Sequence, residues 1–233
     1  MKTFSFRITM IAALLTAMSV SSKATASSGD RIQLSSLDSI SQQSAYSEQM
    51  TSEGLQEEAD EVSYKVSPSR EVVMNLLGTT PIKDWTMRAH GLTGEARMVI
   101  TKDNRLSAIH ALTFSLPVYN LQGDERGMDE DAYRALKADR YRDIVFNLTS
   151  ATIAPQGDHL YLISALGTLT VAGVTRTVTL QMHSRVTKDG TMICTGSEAL
   201  KMSDYNVERP SILFGVIKAG DGIVLTFNLI FIK

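Results

Sequence analysis

Over most of residues 62–232 apolar and polar side chains alternate with a period of two, the signature of strands with one buried face. Val62, Tyr64 and Val66 open the pattern, Pro68 and Ser69 interrupt it, and Val72, Met74 and Leu76 carry it to Gly78. Trp85, Met87 and Ala89 restart it, Gly91 and Gly94 turn it, and Ala96, Met98 and Ile100 follow. Asp103-Asn104 is a turn signal before Leu106, Ala108, His110, Leu112, Phe114 and Leu116, and Pro117 ends that run. Further strands are predicted around 144–149, 159–171, 176–182 and 191–196. VAGVTR forms a tight hairpin between the second and third, and Lys188-Asp189-Gly190 a turn before the fourth. Ile223, Leu225, Phe227, Leu229 and Phe231 give the cleanest alternation of all.

One stretch breaks the period. In MDEDAYRALKADRY (128–141), Met128, Ala132, Ala135 and Leu136 recur at helical spacing and share a face. Asp129, Glu130 and Asp131 crowd its start and Arg134, Lys137 and Arg140 its end, as a helix dipole favours. The spacing predicts one short helix near 129–138, feeding a strand through Ile144, Phe146 and Leu148. Many short strands at close spacing with a single helix predict an all-β sandwich or barrel, the helix closing one end.

Composition adds compartment. Lys2 and Arg7 precede a largely apolar run, Ile8 to Val20, and Ala24-Thr25-Ala26 is a small-x-small cleavage pattern, so residues 1–26 read as a secretory signal peptide. The run is shorter than the ~20 residues of a membrane-spanning helix, and no transmembrane segment is expected in the mature chain. No cysteine stands directly after the leader, so the protein is not expected to be a lipoprotein. Residues 27–61, rich in Ser, Gln, Glu and Asp, read as a polar flexible linker, leaving 62–233 as one domain. Cys194 is the only cysteine, which rules out an intramolecular disulfide, and its strand neighbours predict a buried, inert thiol. Without Lys2, Arg7 and Lys23, 20 basic residues face 25 acidic ones, a formal charge of −5. That balance argues against nucleic acid and against electrostatic adhesion to an anionic membrane.

The order of several blocks resembles the YceI-like family: GTTPIKDW (78–85), MDEDAYRALKADRY (128–141), DIVFNLTS (143–150), GTLTVAGVTRTVTL (167–180), GSEALKMSDYNVERP (196–210) and GVIKAGDGIVLTFNLIF. The stretch 167–180 is the most diagnostic, because the family carries a G-x-Leu-Thr-x-x-Gly-Val-x-(Lys/Arg) hairpin. The block at 78–85 departs from the family, with Pro81-Ile82-Lys83 where a more hydroxyl- and His-rich turn is usual. The resemblance implies an extended antiparallel β-barrel of about eight strands, lipocalin-like, with that one helix. It also implies a periplasmic protein of a Gram-negative envelope that binds an isoprenoid or isoprenoid-quinone-like lipid inside the barrel. A homodimer is compatible with the pattern, as is a monomer.

Nothing in the sequence carries a reaction mechanism. His90, His110, His159 and His183 stand at no metal-ligand spacing, and neither a His-Glu-x-x-His nor a Cys-x-x-Cys occurs. No nucleophile elbow or Gly-rich phosphate loop is present, and no cofactor is expected. The alternating apolar sets are the candidates for ligand contact: Trp85, Met87, Met98, Ile100, Leu112, Phe114, Phe146, Leu148, Leu169, Val171, Leu180, Leu225, Phe227 and Leu229. His110 shares their parity and is read either as an inward polar handle for a ligand head group or as a satisfied core or rim histidine. An eight-stranded barrel is either filled by such side chains or hollow enough for one ligand. The leading expectation is therefore a non-catalytic carrier of a long apolar lipid. A filled barrel acting as a protein-interaction module comes second, and an enzyme on a lipid head group using His110 or Asp204 third.

Overall fold

The computed structural model describes residues 60–125, 127–212 and 217–233. The leader and nearly all of the linker therefore lie outside the described residues. The strands are β1 (Asp60–Val66), β2 (Val73–Thr79), β3 (Asp84–Ala89), β4 (Thr93–Ile100), β5 (Leu106–Pro117), β6 (Leu121–Gly123), β7 (Asp143–Gly157), β8 (Leu160–Val171), β9 (Val174–Val186), β10 (Met192–Lys201), β11 (Ser211–Ile212), β12 (Ile217–Lys218) and β13 (Gly222–Ile232). The α-helix among the described residues, α1, spans Met128–Ala135.

In the order β1, β4, β5, β7, β8, β9, β10 and β13, eight strands pair antiparallel, and β13 closes on β1 through Lys65↔Ile232 and Val66↔Phe231. The result is the expected closed barrel, and closure removes the exposed sheet edges that an open sheet leaves. Three staves of this barrel are broken. Past Ser67–Val72, β2 continues the path of β1 along the same edge of β13, from Val73↔Asn228 to Gly78↔Ile223. β3 continues β4 beside β2, and β6 continues β5 beside β3. The breaks fall where Pro68, Gly91 (φ 70°) and the turn after Pro117 interrupt pairing. They leave β2, β3 and β6 as a flared rim at one end.

The local signals hold in detail. β8 and β9 meet in a two-residue turn, Ala172-Gly173, both residues at positive φ (50° and 80°), the turn whose twist suits a hairpin. The helix stops three residues short of the expected 138, because Lys137 turns left-handed (φ 55°) and Ala138 N bonds back to Tyr133 O. Cys194 is fully buried, and burial pushes its thiol up to about 12, although Ser184 Oγ donates to the sulfur at 3.2 Å.

The half of the barrel away from the flared rim is packed solid. Tyr64, Met98, Ile163, Met192 and Phe231 are each fully buried there. Its polar atoms are satisfied: Tyr64 Oη donates to Gly190 O at 3.1 Å, and Leu106 N donates to Tyr161 Oη at 2.9 Å. The alternation therefore fills this half and does not hollow it.

Candidate ligand cavity

At the flared end the inward side chains stop meeting across the axis and leave an apolar cavity of about 210 Å³. Its deep wall is Met74, Met87, Phe114, Leu180 and Leu225, from five different strands. Phe114 is backed by Phe146, the two rings stacked at 5.3 Å. The apolar face of α1 forms one side through Met128, Ala132 and Leu136, and the segment after β10 another through Met202, Tyr205 and Val207. Thr80, Lys83, Glu125, Asp131 and Lys201 stand around the mouth. Lys83 pairs with Glu125, joining the β2–β3 turn to the loop before the helix.

Local chemistry explains how the walls are held. Gly127 enters the helix at φ 81° with no side-chain cap, and Asp129 accepts a bond from Gly123 N at 2.6 Å, tying the first turn of α1 to β6. Tyr133 Oη lies 2.8 Å from Leu121 O and 3.0 Å from Tyr119 O, which pins the helix over the broken stave. Opposite, Ser203 N and Oγ donate to the two carboxylate oxygens of Asp221 at 2.9 and 2.7 Å, and these bonds hold that carboxyl below the usual aspartate range.

Polar groups facing the cavity are few. Trp85 lies flat on Gly78, whose missing Cβ is what makes room for the indole. Its Nε1 is buried and has no acceptor among the described residues. Tyr205 is nearly buried, and desolvation raises its hydroxyl above the ordinary tyrosine range. Glu198 faces the seam where β9 and β10 separate beyond Met182↔Gly196, and burial raises its carboxyl. Among the described residues, no cluster of three His, Cys, Asp or Glu side chains suits a metal ion, and no helix is long and apolar enough to cross a membrane.

The sequence-derived lining set divides by height along the barrel. Trp85, Met87, Phe114, Leu169, Val171, Leu180 and Leu225 border the cavity. Ile100, Met98, Leu112, Phe227 and Leu229 are buried but belong to the packed half, Phe146 is fully buried behind the cavity residue Phe114, and Leu148 is only half buried. Alternation reports which face a side chain takes, not how far along the axis it sits. His110 is a correction to the inward reading. Register slips between Arg97↔Ala111 and Met98↔Ile109, leaving His110 as the extra residue of a bulge. A bulge reverses parity, so His110 lies outside with Nδ1 3.0 Å from Glu61 Oε1. Asp204 is also exposed, and its backbone oxygen accepts from Arg176 Nε at 2.8 Å. Neither proposed acid–base group borders the cavity. Tyr205, Val207, Ile217 and Ala219 do border it and were missed, since their irregular segment has no period to read.

Comparison with known proteins agrees with this architecture. A family model for the YceI-like domain matches residues 64–231. The crystal structure of BcnA from Burkholderia cenocepacia superposes with a TM-score of 0.56 at 16% identity, covering 71% of this chain and 98% of that one. A polyisoprenoid binding domain from Saccharophagus degradans, implicated in plant cell wall breakdown, superposes with a TM-score of 0.54 at 15% identity, covering 72% and 97%. At such identities the likeness is one of fold. No curated protein matches the chain.

Proposed function

The chain belongs to the YceI-like family, and from that premise we propose that it is a non-catalytic carrier of an isoprenoid-type lipid, working in the periplasm after export. The observation that carries this reading is the apolar cavity at one end of a barrel that is otherwise closed and solid. An apolar wall recognises chain by area and does not orient a reacting bond. The polyisoprenoid-binding domain with the same fold supports the ligand class, and the apolar leader Ile8–Val20 supports export.

Size refines the proposal. A 150 Å³ apolar cavity holds benzene, so about 210 Å³ shelters roughly eight carbons, between one and two prenyl units, by the same measure. At ~0.8 kcal/mol per buried methylene that is a gross gain near 6 kcal/mol, before the cost of ordering the ligand. The barrel grips one terminus of the lipid, and the rest of a long chain leaves through the mouth along Lys201, Pro210 and Ile217. The buried Trp85 N–H favours a ligand with an acceptor oxygen near it, such as a quinone carbonyl or a prenyl hydroxyl.

Organic extraction of the purified protein, read by mass spectrometry, tests the proposal. A stoichiometric prenyl lipid is expected, or else saturable uptake of added farnesol or menaquinone. A clean extract with no uptake of either refutes it.

A further inference from the structure

The block Thr80-Pro81-Ile82-Lys83 joins β2 to β3. Four hydrogen bonds within the block hold its shape. Thr80 N donates to Lys83 O at 2.9 Å, pairing the two ends of the loop, and Pro81 fixes φ between them. Thr80 Oγ1 donates to the same oxygen at 2.8 Å and accepts from Ile82 N and Lys83 N at 3.3 and 3.1 Å. Lys83 is tied across the mouth to Glu125. Ile82 therefore has no inward alternative. It is 63% exposed, the most exposed of the large apolar side chains among the described residues.

Single exposed apolar residues are ordinary on soluble proteins. The placement of this one is not. Thr80 and Lys83, its turn neighbours, both border the cavity mouth. The mouth carries both signs of charge, Lys83 and Lys201 against Glu125 and Asp131, which matches a zwitterionic head-group layer and not an anionic one. The whole chain has a formal charge of −2, so adhesion by charge alone has no basis.

We infer that the rigid Pro81-Ile82 apex is a bilayer contact: it enters the head-group region of a zwitterionic phospholipid membrane and brings the cavity mouth against the lipid surface. This rests on the carrier reading for its purpose, since a water-insoluble prenyl lipid must be collected from a membrane. It does not rest on that reading for its test.

The test uses the full chain with Ile82→Cys labelled by an environment-sensitive fluorophore. Cys194 is fully buried with its thiol raised to about 12, so residue 82 takes the label alone. With phosphatidylcholine vesicles the emission shifts to the blue, and the shift persists in high salt, because insertion is apolar. The same label on Thr195→Cys, exposed on the barrel wall, stays unshifted. No shift at residue 82, or an equal shift on raising protein concentration without vesicles, overturns the inference; the latter outcome identifies a second copy of the chain as the occupant. Ile82→Asp then slows collection of farnesol from those vesicles roughly tenfold, while uptake of farnesol dispersed in water is unchanged. If the parent protein takes up no farnesol in water, the carrier reading fails, and the emission at residue 82 still decides the bilayer contact.

Discussion

Cys194 and Glu198 sit four residues apart on one strand, both on its inward side, and meet opposite fates. Cys194 lies in the packed half, fully buried, with Ser184 Oγ donating to its sulfur. A thiol raised to about 12 supplies almost no thiolate at neutral pH. Alkylation of the native protein by iodoacetamide is therefore expected to run at the rate of global unfolding, and a reaction rate independent of denaturant would contradict this. Glu198 lies at the half-open seam with no hydrogen-bond or ion-pair partner among the described residues, its carboxyl raised by burial. For an acid raised in the folded state, stability falls as pH climbs through the ordinary glutamate range toward the folded value. Glu198→Gln should raise stability at pH 7 by under about 1 kcal/mol, solvent screening discounted. The gain should vanish below about pH 4, as thermal melts across that range will show. Asp221 has the reverse sign: its carboxyl is lowered by Ser203, so its contribution is complete above the ordinary aspartate range and is lost as pH falls through the folded value.

At the scale of elements, the hairpin between β8 and β9 was readable from VAGVTR alone, because a two-residue turn needs positive φ and Gly173 supplies it cheaply. Its second role was not readable. A Cβ on Gly173 would lie 2.4 Å from the Tyr141 ring, so the residue that makes the turn also seats the segment after α1. Gly173→Ala should destabilise the protein by at least about 1–2 kcal/mol, from the left-handed conformation before any displacement of Tyr141 is counted; urea denaturation measures it. The helix face Met128, Ala132 and Leu136 was equally legible, since a period of 3.6 identifies one stripe, and that stripe lines one side of the cavity. His110 shows where such reasoning stops. Its neighbours Leu112 and Phe114 do point inward, but the bulge across from Arg97 and Met98 is a property of the pairing between β4 and β5, and no feature within β5 announces it.

At the scale of the whole molecule, the decisive fact is that one set of inward side chains fills half the barrel and lines a void in the other half. Two substitutions separate the halves. Leu229→Ala, in the packed half, should cost about 2–5 kcal/mol by opening a cavity and leave prenyl-lipid uptake intact. Leu180→Phe, on the cavity wall, has free volume to enter, so it should abolish or sharply weaken uptake while the melting temperature stays close to that of the parent. If Leu180→Phe kept full uptake, this cavity would not be the ligand site.

The amino-acid order by itself determined the long strands, the helix at 128–135, the tight hairpin, the buried thiol and the family, because each depends on period, turn chemistry or block order within a short span. Tertiary structure alone decided that Met98 and Phe227 are buried in the filled half while Met87 and Leu225 border open space, and that His110 turns outward. Whether a barrel is empty at a given height depends on the summed volume that eight staves bring to that height. That sum is set by register, bulges and the breaks at the flared rim, and no single stretch of chain contains it.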